Sequence, residues 1–105
     1  MNEEALDIIN IIEFALQEYT DEEDPKSSAL EEIGYITEER RNQLSLKKNA
    51  LYALEEIKKY FVGQRTLSSK KVDELISAIN KFFIEKENSL FVINTIVPFR
   101  LNYLP

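Results

Sequence analysis

Ser68 and Lys71 have the types and spacing of the Ser-x-x-Lys motif, which supplies the nucleophile and a lysine in several acyl-transfer enzymes. The companion motifs of those enzymes are missing, and the chain has no histidine, the commonest general base. Ser68 also precedes an apolar run at helical spacing, and serine is a favoured residue at a helix N-terminus. We therefore expect a helix cap here and no catalytic residue.

Carboxylates cluster between residues 21 and 32, where calcium binding is the chemistry to consider. If Asp21 opened an EF-hand loop, Glu32 would take the twelfth position, which provides a bidentate carboxylate. The fifth and sixth positions are Pro25 and Lys26, however, and such a loop needs glycine at the sixth position in order to turn. We predict a solvated acidic joint between two helices, with no metal ligand.

Other catalytic and cofactor chemistries lack their usual residues. The chain has no cysteine, so disulfides, thiolate metal sites and cysteine nucleophiles are excluded. Its two glycines, Gly34 and Gly63, are isolated, so no glycine-rich phosphate-binding loop is present. The sequence predicts a protein that is not an enzyme, carries no cofactor and acts by binding.

Charge is sorted along the chain. Residues 1–39 contain thirteen acidic side chains and one lysine, a net charge of −12, whereas residues 40–105 carry +6. Lysine and arginine pairs in the second part raise the question of nucleic-acid binding. The isoelectric point near 4.7 opposes it, because nucleic-acid-binding domains are generally basic. We expect no nucleic-acid partner.

The elements that position these residues are predicted to be helices, because two glycines and three prolines in 105 residues are too few for a turn-rich β fold. In the first helix, Ile11 and Phe14 are expected to widen the buried stripe. Apolar spacing, caps and breakers predict a single all-α domain, 1–105, an antiparallel bundle of about four helices at residues 3–19, 25–43, 45–62 and 69–86.

The last part of the chain, residues 89–105, departs from the helical pattern. It is rich in β-branched residues, is stopped by Pro98 and stays apolar to its end, so a buried non-helical tail is expected. Phe99 and Tyr103 flank Arg100 there, a grouping typical of interface anchors. Core packing is the alternative for both aromatic residues.

The apolar spacing of residues 54–79 resembles the third and fourth helices of the small bacteriocin immunity proteins. The match consists of Leu54-x-x-Ile57-x-x-x-Phe61, then Leu67-Ser68, then Leu75-x-x-x-Ile79. The resemblance implies an antiparallel four-helix bundle whose C-terminal region recognises a target. The acidic N-terminal part is more similar to immunity proteins that neutralise secreted nuclease toxins, including those of contact-dependent inhibition.

The sequence thus predicts an acidic cytoplasmic immunity or antidote protein whose partner is a cognate, basic protein toxin. No segment is long and apolar enough to span a membrane, and the acidic start does not resemble a signal peptide. The alternatives are a homodimeric helical adaptor or an acidic mimic of nucleic acid. The predicted partner-binding residues are Tyr19, Asp21, Glu22, Glu23, Asp24, Glu31, Glu32, Tyr35, Glu38, Glu39, Phe99 and Tyr103.

Overall fold

The first helix, α1, spans Glu3–Glu18 in a computed structural model that describes residues 2–19 and 38–105, the side chain of Glu39 excepted. Asn2 caps α1, since its side-chain oxygen accepts a hydrogen bond from the backbone N–H of Ala5 at 3.2 Å. The three- and four-residue spacing of the apolar residues puts one stripe into the core. The predicted helix at 3–19 is therefore confirmed. Its buried residues are Ala5, Ile9, Ile12 and Leu16.

The second helix, α2, spans Glu38–Phe61 without a break. The predicted boundary near residue 44 is therefore wrong. The polar residues 38–43 form the first turns of α2, and the helix continues without interruption into its apolar part. Gly63 ends α2 as predicted, in the left-handed region with φ +80°. The N–H groups of Gly63 and Gln64 donate to the carbonyls of Tyr60 and Lys59, which closes the helix with a Schellman motif.

The third helix, α3, spans Ser69–Glu85. Ser68 Oγ accepts the backbone N–H of Lys71 at 3.1 Å, so the predicted cap is confirmed. The helix ends in a second Schellman motif, in which Glu87 and Asn88 donate to the carbonyls of Ile84 and Phe83. Here the left-handed residue is Glu87, with φ 58°.

Residues 89–103, which we call the C-terminal helix, correct the expectation of a non-helical tail. They form an α-helical turn at Ser89–Phe91, a π-helical stretch at Val92–Ile96 and an α-helix at Val97–Tyr103. Pro98 does not stop the helix. It has no N–H to donate and its ring crowds the carbonyl four residues earlier, which explains the widened π-helical turns just before it.

The four helical segments share one apolar core, so the predicted all-α class is confirmed. Residues 2–19 and 38–105 contain no β-strand, and none of their helices combines the length and hydropathy needed to cross a membrane. α2 packs most extensively on α3, while α1 and the C-terminal helix pack on each other and on this pair. The largest fully buried side chains are Phe82, Phe83, Phe99, Ile9, Ile12, Leu16, Ile57, Ile79, Ile96 and Val72.

Candidate partner-binding surface

Tyr19, a predicted anchor for a partner, lies half-buried at the end of α1. Its ring makes edge contacts with Phe82 and Phe83 of α3, at centroid distances of 5.8 and 6.2 Å. Its hydroxyl accepts a hydrogen bond from the side-chain amide of Asn88 at 3.0 Å. These contacts place Tyr19 within the bundle, where it joins α1 to the start of the C-terminal helix.

The two tail aromatics also face the bundle. Phe99 is only 1% exposed and packs against Phe61 and Tyr103, so its predicted role as a partner contact is wrong and core packing is the outcome. Tyr103 is half-buried, and its hydroxyl donates to Glu4 of α1 at 2.9 Å. That hydrogen bond raises the pKa of the Tyr103 hydroxyl, with burial adding to the effect. Both residues fix the C-terminal helix to its neighbours.

Of the predicted acidic contacts, the structure describes Glu38, which lies exposed at the first residue of α2. The other acidic positions and Tyr35 lie outside what the structure describes, so their roles stay predictions. They are the residues Asp21, Glu22, Glu23, Asp24, Glu31 and Glu32, together with the side chain of Glu39.

The outer face of α1 carries a surface that the sequence analysis missed. Ile11 is 54% and Phe14 64% exposed, which corrects the expectation that they widen the buried stripe. Asp7, Ile11, Phe14 and Glu18 follow one another at spacings of four, three and four residues, so they form one row along the helix. We call this row the α1 outer face. It combines two exposed apolar side chains with a carboxylate at each end.

The signal for this face was present in the sequence. The buried residues of α1 are Ala5, Ile9, Ile12 and Leu16, and at 100° per residue Phe14 points almost directly away from their mean direction. Counting apolar residues at helical spacing did not separate the two directions. A helical projection places Phe14 opposite the buried stripe, beside Ile11 and the polar residues Asp7, Asn10 and Glu18.

The charge of the α1 outer face is largely uncompensated. Glu13, at the side of α1, forms an ion pair with Lys58 of α2 at 3.0 Å. Within the described part of the chain, Asp7 and Glu18 have no ion-pair partner, and both are exposed. The exposed Glu3 adds a further carboxylate one turn before Asp7. The face therefore presents negative potential around its two apolar side chains.

Three basic residues of the second part of the chain pair with acids of the same part. Lys71 lies 3.7 Å from Glu74, and Arg100 bonds to Asp73. Arg65 bonds to Glu56, the one charged residue in the described core region, which is 5% exposed. These pairs leave the α1 outer face without a basic neighbour from this set.

The Glu56 carboxylate is held in its charged form by its partners. A hydrogen bond from Arg65, and next one from Tyr52, lower the pKa of Glu56 below its ordinary value of 4.5, against the opposing effect of burial. The same hydrogen bond raises the pKa of the Arg65 guanidinium. A buried carboxylate with a depressed pKa is suited to structural pairing, because a general acid or base needs a pKa nearer neutrality.

Neither the Ser-x-x-Lys motif nor a metal site is supported by the described residues. Ser68 uses its hydroxyl as a helix cap, as described above. No group of three or more histidine, cysteine, aspartate or glutamate side chains within residues 2–19 and 38–105 is placed to hold a metal ion. The calcium loop tested on sequence, residues 21–32, lies outside this part of the chain. The α1 outer face is therefore the candidate site that the geometry favours.

Comparisons with known proteins do not name a family. Protein-family models, curated proteins and solved structures were searched, and none matches this chain significantly.

Proposed function

We propose that this chain is a non-catalytic immunity or antidote protein that binds and neutralises a basic protein toxin. The observation that carries the proposal is the α1 outer face, with Ile11 and Phe14 more than half exposed between Asp7 and Glu18. An exposed apolar pair with an acidic margin has the composition of a binding surface for a basic protein.

The acidic charge supports a basic partner on physical grounds. Nuclease toxins concentrate lysine and arginine to hold phosphates, so a segment of net charge −12 attracts them over a distance of about one Debye length, ~8 Å at physiological ionic strength. Electrostatic steering raises association rates by roughly 10–10³-fold at low salt. Fast capture is what an antidote requires, because the toxin must be bound before it acts.

The apolar residues supply what charge alone does not. Exposed carboxylates contribute little net affinity, since their attraction is screened and their desolvation is costly. The ring of Phe14 can be buried against a partner, and aromatic residues are enriched at the buried centre of protein interfaces. We assign steering to Asp7, Glu18 and the acidic segment, and affinity to Ile11 and Phe14.

The resemblance of residues 54–79 to the small bacteriocin immunity proteins supports a toxin as the partner. Those residues cover the second half of α2, the Ser68 cap and most of α3. They lie on α2 and α3, which pack most extensively on each other, whereas α1 carries acidic and no basic residues. Under this proposal, α2 and α3 support the bundle, and α1 contacts the toxin in place of the C-terminal region that the resemblance implies.

Capture of the partner comes first in the test. The tagged chain is used as bait in lysate and culture medium of the source cells, and retained proteins are eluted with rising salt and identified by mass spectrometry. We expect a basic protein at stoichiometric level that elutes with salt. Its expression should arrest growth, and co-expression of this chain should restore it. If every retained protein is acidic or neutral, the proposal fails.

The surface is then tested with matched variants. Phe14→Ala should weaken binding of the captured toxin by at least about tenfold, mainly through faster dissociation. Asp7→Asn with Glu18→Gln should slow association at low salt and flatten its salt dependence, with dissociation nearly unchanged. Leu44→Ala, an exposed apolar residue on α2, is the control. Equal effects of Phe14→Ala and Leu44→Ala would exclude α1 as the contact surface.

A further inference from the structure

The outer face of the C-terminal helix is apolar along its length. Leu90, Ile93, Val97 and Leu101 are 71, 60, 40 and 72% exposed, although the opposite side of the same helix enters the core. They are spaced by three, four and four residues along twelve residues of continuous helix, so they form one row. We call this row the C-terminal apolar face.

The size of the C-terminal apolar face exceeds what isolated side chains produce. Four large aliphatic side chains exposed to this degree present roughly 400 Å² of apolar surface, within the range of about 300–600 Å² for the largest patches of monomeric proteins, which are often functional. Such a surface is costly to leave in water.

Charge distinguishes this face from the α1 outer face. Residues 88–105 contain no aspartate or glutamate, and their single charged residue, Arg100, is bonded to Asp73 of α3. The row itself therefore offers a basic partner no carboxylate, and two carboxylates at the sides of the helix, Glu4 and Asp73, are bonded to Tyr103 and Arg100. The exposed polar residues beside the row, Asn94 and Asn102, are neutral amides, which can pair with copies of themselves.

From these observations we propose that the C-terminal apolar face binds the same face of a second copy of this chain. Each copy carries a net charge of −6, so two copies repel one another through most of their surface. The C-terminal apolar face carries no carboxylate of its own, so repulsion between two copies is weakest where these faces approach. A two-fold axis across the helix matches each apolar row with its own copy, which is an isologous contact.

The expected dimer is a weak one. Two rows with their polar margins bury roughly 1,000 Å² in total, at the lower limit of specific interfaces. The dissociation constant is therefore expected in the micromolar range, roughly 1–100 μM. The row of three- and four-residue spacings is suited to helix-on-helix packing, with the two C-terminal helices antiparallel across the axis. This inference does not depend on the proposed toxin.

Sedimentation velocity of the full chain over a wide concentration series tests the dimer. We expect a monomer–dimer equilibrium that high salt strengthens or leaves unchanged, because salt screens the repulsion between two acidic copies. Leu101→Lys should raise the dissociation constant at least tenfold and keep the helical circular dichroism, since the side chain is exposed. Phe14→Lys is the matched control on α1 and should leave the equilibrium unchanged. A wild-type chain that stays monomeric, or Leu101→Lys and Phe14→Lys acting alike, overturns the proposal.

Disulfide trapping provides a second, independent readout, because the chain has no cysteine. Val97 lies near the middle of the row, close to the expected axis, so Val97→Cys should form a covalent dimer under mild oxidation. Phe14→Cys should not form one at the same rate. Equal cross-linking of the two variants indicates random collision and contradicts the proposed contact. Binding of a captured toxin to Leu101→Lys separates this result from the proposed function, which does not use the C-terminal apolar face.

Discussion

The hydroxyl of Tyr19 accepts a hydrogen bond from the Asn88 side chain at 3.0 Å, across 69 positions of sequence. The oxygen of the same Asn88 amide accepts the backbone N–H of Phe91 at 3.3 Å and so caps the C-terminal helix. One asparagine thus joins the end of α1 to the start of the last helix. Because both candidate binding faces lie on these two helices, this contact helps to hold the two faces in their relative positions.

Asn88→Ala should destabilise the protein more than Tyr19→Phe. Tyr19→Phe removes one hydrogen bond, which is expected to cost about 0.5–1.5 kcal/mol of the free energy of unfolding. Asn88→Ala removes that bond and the cap, and the two together should cost about 1.5–3 kcal/mol. Urea unfolding followed by circular dichroism measures both. Asn10→Ala, an exposed asparagine of α1, is the control and should change little. Equal costs for Asn88→Ala and Asn10→Ala would contradict the role of this contact.

Phe99 and Leu101 lie two positions apart on one helix, yet replacing each with alanine should have very different effects on stability. Phe99→Ala leaves a cavity beside Phe61 and Tyr103 and is expected to cost about 3–5 kcal/mol of the free energy of unfolding. Leu101→Ala changes an exposed side chain and should lie within about 0.5 kcal/mol of the parent, measured at low concentration where the chain is monomeric. Thermal and urea unfolding distinguish the two.

Truncation after Ser89 extends the same prediction to the whole C-terminal helix. It removes Val92, Ile96 and Phe99 from the core, so the remaining chain should lose cooperative unfolding. A truncated chain that kept a cooperative transition and native helicity would show that the other helices fold without the C-terminal helix. Size-exclusion chromatography and circular dichroism provide the two observations.

The sequence predicted the elements in which local signals and burial agree. The stripe of α1, the Ser68 cap and the stop at Gly63 each depend on a few neighbouring residues, and each appears in the structure. The C-terminal helix was missed because its β-branched residues and Pro98 oppose a helix locally. Burial of Val92, Ile96 and Phe99 in a core built by distant residues outweighs that preference.

The residues of the candidate surface were not predicted, since none of Asp7, Ile11, Phe14 and Glu18 was among the expected partner contacts. Charge counting indicated an acidic binding surface, which needs no knowledge of the fold. Phe99, predicted as a partner contact, and Phe14, predicted to widen the buried stripe, were assigned wrongly because residue type does not reveal direction. Phe99 and Phe14 are the same residue type, yet Phe99 is in the core and Phe14 is exposed. The outward direction of Phe14 follows from a helical projection of α1, whereas the burial of Phe99 depends on a C-terminal helix that the sequence did not predict.

Glu87→Gly should stabilise the protein. Glu87 has φ 58° at the end of α3, a conformation that costs an ordinary residue about 1–2 kcal/mol and glycine nothing comparable. Glycine adds flexibility to the unfolded chain, so the net gain is expected to be about 0.5–1 kcal/mol. Gly63→Ala is the matched reverse change, because Gly63 has φ +80° and an added Cβ would meet no atom within 4 Å. It should cost about 1 kcal/mol through backbone strain alone. Urea unfolding measures both, and a loss of stability in Glu87→Gly would show that its side chain stabilises the motif.

Glu56→Gln should reduce stability at neutral pH and lose that effect in acid. The bonds from Arg65 and Tyr52 lower the pKa of Glu56 in the folded protein. Between that lowered pKa and the ordinary value of 4.5, the unfolded chain binds more protons, so stability rises with pH through this window. The contribution of Glu56 is therefore complete above about pH 4.5 and is lost as the pH falls through the folded pKa.

Urea unfolding at a series of pH values tests this dependence. The difference in the free energy of unfolding between the parent and Glu56→Gln should be constant above pH 4.5 and shrink below it. Glu74→Gln is the control, because Glu74 is exposed and the change removes only an ion pair with Lys71 at 3.7 Å. Its difference from the parent should stay small throughout. A Glu56→Gln difference that grew on acidification would mean that the folded protein holds Glu56 protonated, which contradicts the ion pair with Arg65.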